Sequence, residues 1–125
     1  MQQPLRVVCG VIFRDGLLLA AQRPAGKTHA YAWELPGGKV KTGESDAEAL
    51  VRELQEELSI TVTVERALAP VVHMYTWGTV QLLPFVCSTQ DEPKCIEHAA
   101  LRWLAPDDWF SVNWLEADLP IVSAL

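Results

Sequence analysis

Glu53, Glu56 and Glu57 stand three and four residues apart in "RELQEELS". On an α-helix these spacings make the side chains neighbours within a sector of roughly 100°. Like charges so placed weaken a helix by about 0.2–0.5 kcal/mol per pair. The C-terminal half of a helix disfavours negative charge further through the macrodipole. Leu58, Ser59, Ile60 and Thr61 follow, so no base relieves the crowding from that side, and the only local compensating pair expected is Glu48–Arg52. Two outcomes are open. The carboxylates form a solvated acidic face, or they gather oxygen ligands around a hard divalent cation such as magnesium.

The elements that must position them are legible around them. A helix is expected over about 46–58, with Ser45 as N-cap and Glu48 completing a capping box. Ala47, Leu50, Val51, Leu54 and Leu58 recur at helical spacing and predict the buried stripe. Upstream, "LRVVCGVIF" and "LLLAAQR" flank "RDG" and read as a β-hairpin. "PAGKTHAYA" reads as a loop, and "WELPGG" as a sharp turn. Downstream, "TVTVERALAPVVHMYTW", "TVQLLPFVCST" and "AALRWL" predict strands. "APDDWF" predicts a helical turn, and the tail from Asp118 to Leu125 a last helix with Pro120 in its first turn. Strands mixed with two helices give an α/β layered domain.

The 125 residues suit one domain, 1–125, with half of them hydrophobic. A net charge of −6 makes long nucleic acid a poor partner, whereas a small anion is admissible if a cation or local bases offset the field. No apolar run approaches the roughly 20 residues of a membrane span, and no secretory signal opens the chain. Cys9, Cys87 and Cys95 are odd in number and lack CxxC spacing, so reduced, mostly buried thiols of a cytoplasmic protein are expected.

Gly38, Glu44, Arg52, Glu53, Leu54, Glu56 and Glu57 match GX5EX7REUXEE at every spacing, U being a bulky aliphatic residue. This resembles the Nudix box of the Nudix hydrolases, which cleave nucleoside diphosphates linked to another group. One position departs: Ser59 stands where the box normally has a glycine, which would end the helix through a left-handed cap. The resemblance implies a Nudix-type α/β/α sandwich with a mixed β-sheet. It implies Mg2+, with Mn2+ as a substitute, offsetting the charge that repels water from a phosphate. Glu53, Glu56 and Glu57 would face the metal, with Glu53 the first candidate for the general base and the choice within the cluster open. Gly38 could offer a backbone carbonyl. Arg52 and Glu44 would brace the loop and glutamates.

"QRP", "WELPGGKV", "EHAALRW" and "ADLPIV" extend the likeness to the MutT branch, nucleoside triphosphate pyrophosphohydrolases. Arg23 and Lys39 match phosphate-contacting positions there, with a surface salt bridge as the alternative for each. Glu97 matches an additional loop carboxylate able to reach the metal, and His98 reads as structural. Asp118 falls where the base edge is read, and as an aspartate it can accept, or donate when protonated. It would also serve as an N-cap. Trp33, Met74, Tyr75 and Trp77 are candidates for a stacking wall. The implied reaction takes a (deoxy)nucleoside triphosphate to monophosphate and pyrophosphate, with oxidised dGTP (8-oxo-dGTP) or CTP and 5-methyl-dCTP leading. Another nucleoside diphosphate derivative, or a non-catalytic damaged-base module, is the alternative. The expected partner is a small nucleotide, with no membrane and a monomer or homodimer.

Overall fold

The computed structural model describes residues 3–125. Strand β1 (Leu5–Arg14) returns as β2 (Leu17–Gln22) through Asp15 and Gly16, both left-handed at φ 52° and 77°. These are the dihedrals of a two-residue hairpin turn, which is why Asp-Gly closes it. Strands β3 (Trp33–Glu34) and β4 (Gly37–Lys39) precede helix α1 (Asp46–Leu58). Then come β5 (Thr63–Ala67), β6 (Val71–Tyr75), β7 (Gly78–Ser88), β8 (Ala100–Leu104), a 3-10 turn at Pro106–Asp108 and α2 (Leu119–Ser123).

The sheet order is β3-β2-β1-β7-β5, with β4 added to β1, β6 to β7 and β8 to β2. β1 runs parallel to β7 from Leu5↔Val80 to Phe13↔Ser88 and antiparallel to β2 and β4, so the sheet is mixed. Alternation along β1 divides the core between its two faces. Val8 and Ile12 pack with Leu50, Leu54 and Leu58 of α1. Cys9 and Val11 pack on the other face with Trp114, Ile121 and Val122 at the C-terminal end. Helices on both faces of a mixed sheet are the expected α/β/α layering. Each of the three fully buried leucines of α1 contributes about 1.5–3 kcal/mol of apolar burial.

Several local expectations are corrected. The buried stripe of α1 contains Ala49, while Ala47 is only half-buried and Val51 is exposed. The stretch 61–77 is not one strand: it breaks between Ala67 and Val71, where "LAP" removes a backbone donor, giving β5 and β6. Gly37 and Gly38 enter β4 directly instead of forming a turn. A Cβ on Gly37 would run into the backbone carbonyl of Val8, so close strand approach, not a turn, requires glycine there.

Candidate active site

Helix α1 starts as its sequence dictates. Ser45 accepts the Glu48 amide at 3.1 Å and Glu48 accepts the Ser45 amide at 2.9 Å. Because Glu48 serves the cap, the expected Glu48–Arg52 pair does not form. Arg52 instead grips Glu44 with two nitrogens, Nε at 2.6 Å and Nη2 at 2.9 Å. Its Nη1 also reaches Glu53 at 3.0 Å and Glu56 at 3.3 Å, and Nη2 donates to the Lys39 carbonyl at 3.1 Å. One guanidinium thus ties loop, strand β4 and two of the crowded glutamates together. Its hydrogen bonds, with that from the Lys41 amide, hold the Glu44 carboxyl down at about 2. At the far end Ser59 adopts φ 56°, ψ 39° and donates to the Gln55 carbonyl at 3.1 Å. Serine therefore makes the left-handed cap that glycine would make, and the glutamates keep a regular helix beneath them.

Glu57 differs from its neighbours. Its Oε2 is buried with no hydrogen-bond partner among the described residues. Burial, then the charges of Glu53, Glu34 and Glu97, push its carboxyl up to about 8. Gly38 lies directly under Glu53, where a Cβ would collide with the carboxylate. An unpartnered buried oxygen, two adjacent carboxylates and a backbone free to approach them form an oxygen-only donor set. That set fits a hard divalent cation. Among the described residues, no three acidic, histidine or cysteine side chains already converge on one point.

A cavity of about 380 Å³ opens on the other face of the sheet. Arg23, Lys39 and Asp118, taken separately from the sequence, all line it, and so does Gly37, the residue next to Gly38. Arg23 is paired with Glu34 at 2.8 Å, both side chains largely covered, and its Nε donates to the Thr28 carbonyl at 2.7 Å. Arg23 is thus ion-paired within the cavity wall and not on open surface. Lys39 is exposed.

Asp118 does not cap α2. Its side chain makes no cap bond, and Oδ2 instead accepts the Leu35 amide at 3.1 Å across the chain. Burial raises its carboxyl to about 7, with the Leu35 amide pulling the other way. Of the proposed stacking aromatics, Tyr75 and Trp77 line the cavity, stacked on each other at 5.2 Å and 7°. Trp33 is core and Met74 points to solvent. Cys95 is exposed, whereas Cys9 and Cys87 are buried, and all three are free thiols.

Glu34 is the residue that sequence reasoning missed. It lines the cavity, pairs with Arg23 through Oε1, and meets His98 Nε2 at 3.0 Å through Oε2. Burial pushes its carboxyl upward, but the hydrogen bonds from His98 and Arg23 more than offset this and hold it low. The available signal was an acid between Trp33 and Leu35, in an apolar strand, one step from the box loop. His98 itself is buried and Glu97 beside it is exposed.

The NUDIX domain model matches residues 3–124. The CTP pyrophosphohydrolase of Escherichia coli is 37% identical, over 96% of this chain and 90% of its own length. A putative 8-oxo-dGTP diphosphatase 2 of Mycobacterium tuberculosis is 39% identical, over 90% and 81%. Among solved structures, a MutT Nudix hydrolase from Burkholderia pseudomallei superposes with a TM-score of 0.83 at 31% identity, covering 98% of both chains. The helix with its acidic edge, the glycine strand beneath it and the match along almost the whole chain place this protein in the Nudix hydrolase family.

Proposed function

We propose that this chain hydrolyses a (deoxy)nucleoside triphosphate to the monophosphate and pyrophosphate, with Glu53, Glu56 and Glu57 holding Mg2+ or Mn2+. One observation carries the reading. Gly37 belongs to the cavity wall, and the next residue, Gly38, lies against the Glu53 carboxylate. A nucleotide seated in the cavity therefore has a path for its phosphates along β4 to the acidic edge of α1.

When bound, the divalent ion supplies charge neutralisation at the phosphates and an acidified water. The chain's own residues do the rest. Arg23 and Lys39 offset the repulsion between the phosphates and the glutamates. Arg52 fixes Glu53 and Glu56 and leaves Glu57 with an open oxygen. Glu53, already tethered at 3.0 Å, is placed to orient or deprotonate the attacking water. Tyr75 and Trp77 offer an aromatic wall to the base. Asp118 keeps Oδ2 on the Leu35 amide and has Oδ1 left for the base edge. Oxidised dGTP and cytidine-type triphosphates lead as substrates, because the relatives include a CTP pyrophosphohydrolase and a putative 8-oxo-dGTP diphosphatase.

The test is pyrophosphate release with Mg2+ across oxidised and ordinary nucleoside triphosphates, alongside Glu53→Gln and Glu57→Gln. Rapid release from one oxidised or cytidine nucleotide, with loss in both variants, supports the proposal. Release of orthophosphate alone, or variants with unchanged turnover, contradicts it.

A further inference from the structure

The segment 90–99, between β7 and β8, contains neither helix nor strand, and His98 is its one buried side chain. The start of this segment is held at Asp91 and Glu92, by the Thr61 amide at 2.7 Å and by Arg14, and two further sets of contacts hold the rest. At its middle, the Lys94 amide donates to the carbonyl of Leu58 at 2.8 Å, at the end of α1 and one residue beyond Glu57. At its end, the Ala99 amide donates to the carbonyl of Gln22 at 2.8 Å, and His98 Nε2 meets Glu34 Oε2 at 3.0 Å. Glu97 lies between these anchors and is exposed.

The partner of His98 is itself committed. Glu34 Oε1 takes Arg23 Nη1 at 2.8 Å in the cavity wall. The His98 carbonyl is held as well, accepting the Cys95 thiol at 3.1 Å. His98 Nδ1 is buried without a protein partner, so the tautomer carrying its hydrogen on Nε2 leaves no buried donor of the ring unpaired. A side chain 3% exposed and hydrogen-bonded to a carboxylate restrains the backbone of the residue beside it.

We propose that His98 is a positioning residue whose hydrogen bond to Glu34 seats the 90–99 loop, turning Glu97 toward the acidic edge of α1 and linking the cation site to Arg23 through one carboxylate. This rests on the reading that the glutamates of α1 hold a divalent cation. Loss of the Glu34 contact would leave the stretch from Lys94 to Ala99 held at its two ends by the Lys94 and Ala99 amides, with Glu97 between them free to move out of reach of that cation. Partners in the shell around a metal's ligands typically change its affinity by about 10–100-fold.

Mn2+ binding to the metal-free protein, followed by electron paramagnetic resonance of the free ion, tests this without turnover. His98→Phe fills the space without a donor, and His98→Gln keeps a nitrogen where Nε2 stood. His98→Phe is expected to weaken Mn2+ binding about tenfold, Glu97→Gln by a similar factor, and the double variant no more than either alone. His98→Gln is expected to restore most of the affinity, which mere space-filling would not do. Should His98→Phe not fold, His98→Asn, whose amide is too short to reach Glu34, replaces it with the same expectation. Wild-type affinity in His98→Phe, or losses that multiply in the double variant, overturns the proposal alone. Affinity indifferent to Glu57→Gln overturns the cation reading, and this proposal falls with it.

Discussion

Replacing Asp118 by asparagine should remove a pH dependence from the stability of the fold. The Asp118 carboxyl is raised from 3.8 to about 7, first by burial and then by the charge of Glu34, against the pull of the Leu35 amide. Between those two values the folded chain keeps a proton that the unfolded chain has released. The contribution is therefore fully present below the unfolded value and is lost as pH rises through the folded one. A shift of about three units corresponds to roughly 4 kcal/mol in all, of which about 2 kcal/mol remains at about pH 5.5 and almost none at about pH 8.5. Asparagine has nearly the same shape and can still accept the Leu35 amide, but it does not titrate here. Any fixed cost of its own amide group is the same at both pH values and cancels. Urea unfolding of both proteins at the two pH values gives the four free energies needed. Wild type minus variant should be more favourable by about 2 kcal/mol at the lower pH. A difference below about 0.5 kcal/mol, or one of opposite sign, would refute the buried, proton-holding picture of Asp118.

The same proton bears on specificity. Protonated on Oδ1, Asp118 can donate to the ring nitrogen of cytosine, whereas ionised it accepts from the N–H groups of an oxidised guanine. The ratio of kcat/KM for CTP to that for oxidised dGTP should therefore fall as pH rises through about 7, and a flat ratio would count against base reading by this residue. Gly38→Ala should cut pyrophosphate release by about 10–100-fold in steady-state assays, because the new methyl collides with the Glu53 carboxylate and displaces it. Ser59→Gly should stabilise the fold by about 0.5–1 kcal/mol in calorimetry, because only the left-handed strain of serine at φ 56° is relieved.

What the sequence disclosed depended on how far apart the interacting groups lie along the chain. The Ser45–Glu48 capping box and the Asp15–Gly16 turn involve neighbours, and both form as expected. Ser59 takes the left-handed cap in place of the usual glycine, between Leu58 and Ile60, both fully buried. Arg52 was assigned to Glu48 on helical spacing, but Glu44, eight residues upstream, presents two oxygens to its guanidinium. Val51 and Ala49 exchange roles because the sheet, not the helix, decides which edge of an apolar stripe is covered. Glu34 shows in the sequence only as an acid in an apolar strand, because the partners that define its role lie 11 and 64 residues away in the chain. Asp118 was expected at the site and lines the cavity, yet its partner Leu35, 83 residues distant, could not be read from spacing. Short-range chemistry is written in the sequence directly, while the wiring between the cavity and the acidic helix is a product of the sheet.

The most direct test is a crystal of the protein with Mn2+ and a non-hydrolysable nucleoside triphosphate analogue, located by anomalous scattering from the metal. The expected map has the manganese peak against Glu53, Glu56 and Glu57, phosphates between that peak and Arg23 or Lys39, and the base beside Asp118. Manganese seated away from α1, or an analogue bound with its phosphates outside the β4 path, would contradict the account.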